Sequence, residues 1–368
     1  MMSICDSLSR MLPVPHALTF PFIGLDITDR RVRVLELFGE KGVLKVKQHG
    51  EVAVPPGVIV GGCIKRPLEF SAIMQGVKRT YRCSHAHVSL PEERAYIVHM
   101  DIPRVEENEI RQSIAFQIEE YVPLKPEDVI FDYTVLKDHS SASTIRVLVA
   151  AMPREDVEGY AQVLEEVGIV PLSFEIESQA IARAIIPENK QRSTVMIVDI
   201  GRLRTGVSIV RNNLVRFTST IDMGSETFSR ALESALSVSS EKALEMKNAL
   251  PLHPAQKDFY EALAPSLEKL EDELHKLSVY WQTYHAKNKN KEERQVSDII
   301  LSGGGANMNG LAPFLSRRLN IPVTVGNPWT HCCSLNTYIP PIPHNKSLGY
   351  ATVIGLALPH MTCERRYE

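Results

Sequence analysis

Ser297-Asp298-Ile299-Ile300-Leu301-Ser302-Gly303-Gly304-Gly305-Ala306-Asn307-Met308-Asn309-Gly310-Leu311 decides how the rest of the chain is read. Its apolar run reads as a buried strand, and Asn309 to Leu315 opens a helix, with three glycines at the junction. Such glycines let the backbone turn at positive φ, expected here at Gly304, and let a ligand approach the main chain closely. Alone, the triplet is equally an ordinary strand-to-helix turn. Two other strands end in aspartate and favour a ligand site: Phe22-Ile23-Gly24-Leu25-Asp26-Ile27 and Val195-Met196-Ile197-Val198-Asp199-Ile200-Gly201.

Working outward, 368 residues with 44% hydrophobic and 23% charged side chains suffice for two lobes, each with its own core. A formal charge of −3 gives no reason to expect nucleic acid or an anionic membrane as partner. No apolar run approaches the roughly 20 residues that span a bilayer, and Met1 to Pro21 lacks the pattern of a secretory signal. Six scattered cysteines form no C-x-x-C pair, so reduced thiols and a cytoplasmic location are expected. His331-Cys332-Cys333 and His85-Ala86-His87 are weak metal patterns, the latter lacking a third ligand.

The alternation after Phe22 predicts a strand-turn-strand through Leu37 and a third strand over Val43 to Val54. Val58 to Ile64 follows, then a helix over Pro67 to Thr80 and a core strand from Ala86 to Pro91. From Glu92 the pattern becomes β-α-β-β-α: a helix from Pro103 to Tyr121, strands at Val129 to Leu136 and Thr144 to Ala150, and a helix over Arg154 to Val167. Pro187 to Ser193 reads as a linker, Pro265 to Lys287 as the longest helix, and Gly349 to Leu358 as a buried one.

The Asp-ended strands and the late Ser-Gly-Gly-Gly resemble the nucleotide signature of the actin, hexokinase and heat-shock chaperone superfamily. Gly24 to Ile27, Val54 to Gly62, Ile118 to Leu124, Val198 to Gly201, Leu301 to Leu311 and Tyr350 to Leu358, in that order, resemble the PilM family of type IV pilus assembly proteins and, through it, FtsA. The resemblance implies an α/β, actin-like (ribonuclease H-like) two-lobed fold with an inserted 1C-type α+β subdomain. Residues 1–20 would be a lead-in, 21–91 with 171–190 the first lobe, 92–170 the insertion, 191–348 the second lobe, and 349–368 a helix and tail. It implies ATP and Mg²⁺ as cofactors. Asp26, Thr28, Asp199, Gly201, Thr205, Ser302, Gly303, Gly304 and Gly305 would line the nucleotide, and Asp26 and Asp199 would hold Mg²⁺ through water.

The chain departs from that pattern at both phosphate turns, where Thr28-Asp29-Arg30-Arg31 and Arg202-Leu203-Arg204 replace glycine and small hydroxyl residues. Either the arginines have taken over phosphate contact, or they are solvated and tight nucleotide binding is lost. Because both turns degenerate together, the second reading is preferred. Glu175 and Glu177 are candidates for orienting a water, against a plain solvated helix start.

The resemblance implies a scaffold at the cytoplasmic face of the inner membrane. Its partner would be the short tail of a PilN-like bitopic protein, docked as an extended peptide between first lobe and insertion, with Phe116, Tyr121 and Tyr133 as candidate contacts. Other pilus inner-membrane components and a second copy of the chain are further partners it implies. The alternatives are an active ATPase of a pilus or type II secretion system and the cytoplasmic part of a secretion L protein, which normally continues into a membrane helix.

Overall fold

The computed structural model describes residues 21–40, 43–136, 143–284, 291–333 and 336–358. The predicted lead-in 1–20 and the tail beyond Leu358 lie outside them.

Hydrophobic alternation builds the first sheet as a meander of β1 (Ile23–Ile27), β2 (Arg31–Glu40) and β3 (Val43–Ala53). The predicted stretch Val58 to Ile64 is a hairpin, β4 (Ile59–Val60) and β5 (Cys63–Ile64), because Gly61 and Gly62 both take positive φ. Helix α1 (Pro67–Tyr81) crosses to β6 (His85–Leu90), which pairs parallel to β1.

Next come β7 (Tyr96–Pro103), α2 (Ile110–Gln117), β8 (Val129–Val135), β9 (Thr144–Pro153) and α3 (Arg154–Glu166). Then β10 (Val170–Ile176) completes the first sheet beside β6, in the order β10-β6-β1-β2-β3. The helix expected from Pro103 to Tyr121 is shorter. β7 runs through Pro103, Glu106 and Glu109 form a reciprocal cap, and one-turn 3₁₀ segments flank α2.

After α4 (Glu177–Ile185), the second sheet repeats the plan of the first. β11 (Val195–Ile200), β12 (Thr205–Arg211) and β13 (Leu214–Ile221) form a meander; β14 (Asp298–Ser302) and β15 (Val323–Val325) add in parallel, giving β13-β12-β11-β14-β15. Between them run α5 (Ser225–Leu236), α6 (Ser240–Ala249) and α7 (Lys257–Tyr284), and α8 (Leu311–Leu319) joins β14 to β15. Helix α7 starts eight residues before Pro265, where the sequence reading placed its first turn. An interior proline costs about 3 kcal/mol, and the buried Phe259, Leu263 and Leu267 offset this on both sides. Among the described residues no helix is long and apolar enough to cross a membrane.

One apolar core gathers around α9 (Ala351–Ala357), the last helix of the described residues, which is buried at every position. It packs on β1 and α4, and its core mixes Leu35 and Ile181 of the first lobe with Val195, Ile197 and Ile300 of the second. The insertion keeps its own core around Met100, Ile114 and Val147, while Tyr160, Val163 and Leu164 of α3 belong to the first-lobe core. On its other side β7 packs against β13, where the His99 ring is hydrogen-bonded to the Arg216 carbonyl at 3.1 Å.

Gly355 allows the α9–α4 crossing, because a Cβ there would fall on the Ala180 carbonyl. Gly355→Ala is therefore expected to cost about 3 kcal/mol by forcing the helices apart. Denaturant unfolding checks this, and an unmoved midpoint at unchanged slope would refute it.

Candidate functional site

The two lobes face each other across the carboxyl ends of β1, β6 and β11, where open α/β sheets bind ligands. Strand pairing sets the residues in matching positions. Asp26 lies opposite Arg33 on β1/β2, and Asp199 lies opposite Gly206 on β11/β12. Asp26 is almost fully buried; its Oδ1 accepts from the Ser89 hydroxyl at 3.0 Å and its Oδ2 from Arg33 Nη1 at 3.2 Å. Arg33 also donates to Glu51 at 2.9 Å and stacks over Tyr350. In the second lobe Ser302 pairs in register with Asp199, as Ser89 attends Asp26. No cation occupies the position matching Arg33, because that position is Gly206.

The carboxyl group of Glu92, inserted from the first-lobe side, leans on that gap: a Cβ on Gly206 would lie 3.7 Å from Glu92 Oε2. Glu92 is 8% exposed, and the Ser178 hydroxyl lies beside its carboxyl group. Burial, reinforced by Asp199, pushes it from 4.5 up to about 8. Asp199 is raised to about 6, again mainly by burial, with Asp26 adding to the rise. Asp26 is raised by burial despite Arg33. Glu177, the first residue of α4, is raised by burial and by the neighbouring carboxylates, although its surface is not fully covered. It is thus no plain solvated helix start. Glu175 is a strand residue paired with Arg183, which also donates to the Gly355 carbonyl, so it ties β10 and α4 to α9.

The phosphate side of the cleft is engaged with itself. Thr28 Oγ1 donates to the Arg31 carbonyl and accepts from its amide, closing its own turn. The Asp29 carboxylate accepts from the amides of Gly61 and Gly62 at 2.9 and 3.0 Å, the kind of concavity that binds anions. Arg31 pairs with Glu51, Arg202 with Glu226, and Arg204 reaches across to Glu93. Thr205 donates to the Met223 carbonyl, and Gly201 donates within its own turn to Arg204. Among the described residues no three His, Cys, Asp or Glu groups are grouped to hold a metal. In this arrangement those donors and acceptors are engaged within the protein.

The glycine turn is formed as a strand-to-3₁₀ junction, but its left-handed residue is Gly303, at φ +78°, not Gly304. A Cβ at Gly303 would lie 2.5 Å from the Ile200 carbonyl and 2.9 Å from Asp199, and Gly305 is pressed on Ile200, whereas Gly304 faces open space. Arg33 and Glu92 are the residues the sequence reading missed. Their signals were the alternation of β2 and the position of Glu92 just past the carboxyl end of β6.

A groove of about 320 Å³ opens elsewhere, between the first lobe and the insertion, walled by Cys63, Lys65 and Pro67 on one side and by α3 on the other. Asp156, within α3, is held there by Arg94 at 2.7 Å and by the Cys63 thiol at 3.4 Å. Gly159 sits in mid-helix with nothing within 4 Å of an added Cβ. None of the three aromatics expected to contact a partner lines this groove. Phe116 projects into solvent, Tyr121 is partly exposed beside Tyr284, and Tyr133 packs on the insertion's own core.

Two outcomes are expected from the cleft. Gly303→Ala should lower the melting temperature while Gly304→Ala leaves it within error, because only the first residue is both left-handed and crowded; equal effects would refute the assignment. For Glu92, the folded protein keeps a proton that the unfolded chain releases above 4.5. The stability tied to the neutral form is thus complete below 4.5 and is lost as pH rises through about 8. Glu92→Gln should match the parent at pH 4 and exceed it by at most ~3 kcal/mol at pH 7, measured by unfolding across pH. A gap that does not grow with pH would refute the reading.

A family model described as type IV pilus assembly protein PilM matches residues 24–361. The cell division protein FtsA of Streptococcus pneumoniae serotype 2 (strain D39 / NCTC 7466) is 22% identical over 381 residues, covering 91% of this chain and 83% of FtsA. Among solved structures, the PilM-PilN type IV pilus biogenesis complex matches with TM-score 0.74 at 20% identity, over 92% of this chain and 98% of that one. MreB5 of Spiroplasma citri bound to ADP matches with TM-score 0.51 at 14% identity, over 85% and 94%. These structural likenesses establish the actin-like two-lobed fold, and the sequence match spans almost all of it. The chain belongs to the PilM family of type IV pilus assembly proteins.

Proposed function

We propose that the protein is an actin-like scaffold of type IV pilus assembly that seats the cytoplasmic tail of a PilN-like inner-membrane protein, with nucleotide binding weak or absent. It would work in the cytoplasm, held at the inner membrane by that partner. Family membership and the likeness to a PilM-PilN complex support the partner class. The observation that carries the reading is the groove at α3. Glycine in a helix interior costs about 1 kcal/mol relative to alanine, and at Gly159 no neighbour demands it. A surface kept open at that cost is suited to a peptide whose main chain passes close by. Weak nucleotide binding is supported by the phosphate side, where carboxylates and turn carbonyls of the protein already hold the donors.

The second reading, an active ATPase, is favoured by the paired Asp26 and Asp199 and the formed glycine turn. One set of measurements separates the two. Calorimetry with the synthetic tail should show binding that Gly159→Trp abolishes and that Asp26→Asn and Asp199→Asn alter by no more than a few-fold. Mg-ATP turnover should stay far below about 1 s⁻¹, the low end for ordinary enzymes. Tail affinity that collapses in the folded aspartate variants, or turnover near that rate that they abolish, would establish a nucleotide-driven switch instead.

A further inference from the structure

The mouth of the cleft is spanned by one long cation. Arg204 ends the β11–β12 turn, and that turn is fixed to the helix behind it. The Gly201 and Arg202 carbonyls accept from the Ser225 and Glu226 amides at the start of α5, at 2.9 and 3.0 Å. A Cβ at Gly224 would lie 2.5 Å from the Arg202 carbonyl, so turn and helix are in close contact. From this anchored root the Arg204 guanidinium leaves the second lobe and pairs with Glu93 of the 3₁₀ turn Glu92–Arg94. Its Nη2 also lies 3.8 Å from the place of a Cβ on Gly61, at the tip of the β4–β5 hairpin. The two landing points belong to one body. A Cβ at Gly62 would lie 2.5 Å from Pro91, and Asp29 of the β1–β2 turn holds the Gly61 and Gly62 amides. Arg204 thus meets the first lobe where three of its turns are joined.

Charges deeper in the cleft oppose closure. Glu92 and Glu177 approach from the first-lobe side and Asp199 from the second, and their mutual repulsion adds to the burial that favours their neutral forms. Arg33 is engaged by Asp26 and Glu51, both in its own lobe, so it does not tie the lobes together. We infer that Arg204 is a strap: paired with Glu93 over the Gly61 tip, it holds the lobes closed with no ligand between them, and a nucleoside polyphosphate has to compete with Glu93 for its guanidinium. The inference rests on the proposal that nucleotide binding is weak and gives it a cause, since a guanidinium suits carboxylate and phosphate alike. The pair is partly exposed, so its effect is modest and weakens with salt. A scaffold closed in this way presents its surfaces in one geometry without nucleotide.

Hydrogen exchange of the full chain without nucleotide, mapped by mass spectrometry, reads the strap. Arg204→Gln and Glu93→Gln should each speed exchange about threefold in segments 59–64 and 201–206, the scale of an exposed pair, with the melting temperature kept within about 2 °C. Added salt should do the same to the parent and nothing further to the variants. The charge swap Arg204→Glu/Glu93→Arg should restore the parental rates, which a mere loss of local packing would not allow. In calorimetry Mg-ATP should bind Glu93→Gln at least threefold more tightly than the parent, and Arg204→Gln no more tightly. If both single variants exchange as the parent does, or the swap restores nothing, the strap is overturned and weak nucleotide binding stands on its other supports. If the two segments of the parent are protected only once Mg-ATP is added, and Arg204→Gln abolishes that protection and the binding, Arg204 is a phosphate ligand. The strap and the weak-binding proposal then fall together.

Discussion

The close approach of α9 to α4 and β1 is the constraint on which the rest of the molecule depends. Cβ atoms at Gly24 and Gly355 would collide with main-chain carbonyls of Val353 and Ala180. Only with glycine at both positions can a short, wholly buried helix sit between the lobes and join residues of both in one core. That packing fixes the relative placement of the two sheets. It therefore also fixes the distance between the aspartates at their ends, which face each other because the helices behind them cannot move apart.

Within the cleft, equal topology carries unequal electrostatics. Each sheet presents an aspartate at the end of its first strand and a serine on the neighbouring parallel strand. On the first-lobe side Arg33 neutralises Asp26 across the hairpin; on the other, Gly206 opens a space that Glu92 fills. A carboxyl group beside a carboxylate in a buried site is held neutral, since two like charges there are costly. The cleft thus sets one fixed cation, Arg33, against several carboxyl groups that burial holds toward their neutral form, Glu92 and Glu177 among them.

The fold was legible because the signals behind it are local and repeated: aspartate-ended apolar strands, the glycine triplet, and an ordered series of family segments. The helix expected over Arg154 to Val167 matches α3 nearly to the residue. Proline misled at Pro265 and Pro103, since local preference for a helix start yields to packing when large apolar residues flank it. The site was legible only in part. Asp26, Asp199 and Ser302 come together at the strand ends, and Gly303 rather than Gly304 takes the strained conformation. Glu92 and Arg33 escaped notice because their roles come from strand pairing across the sheet and from burial, neither of which is written in neighbouring residues. The groove escaped for the same reason: the conspicuous aromatics of the insertion point elsewhere, and its walls come from segments about 90 residues apart in sequence.

The insertion looks like a cassette in the chain order, entering after β6 and leaving before β10. Its last helix says otherwise. Tyr160, Val163, Leu164, Val167 and Ile169 fill the same core as Phe70, Met74 and Val88 of the first lobe, and Tyr160 holds the Gly62 carbonyl through its hydroxyl at 2.8 Å. Excising the segment at its natural joints would tear a wall from that lobe, and grafting it onto a different host would leave α3 with an apolar face and nothing to cover it. Exchange between relatives would have to carry α3 together with α1, so that recombination keeps the two walls of the groove as one heritable unit.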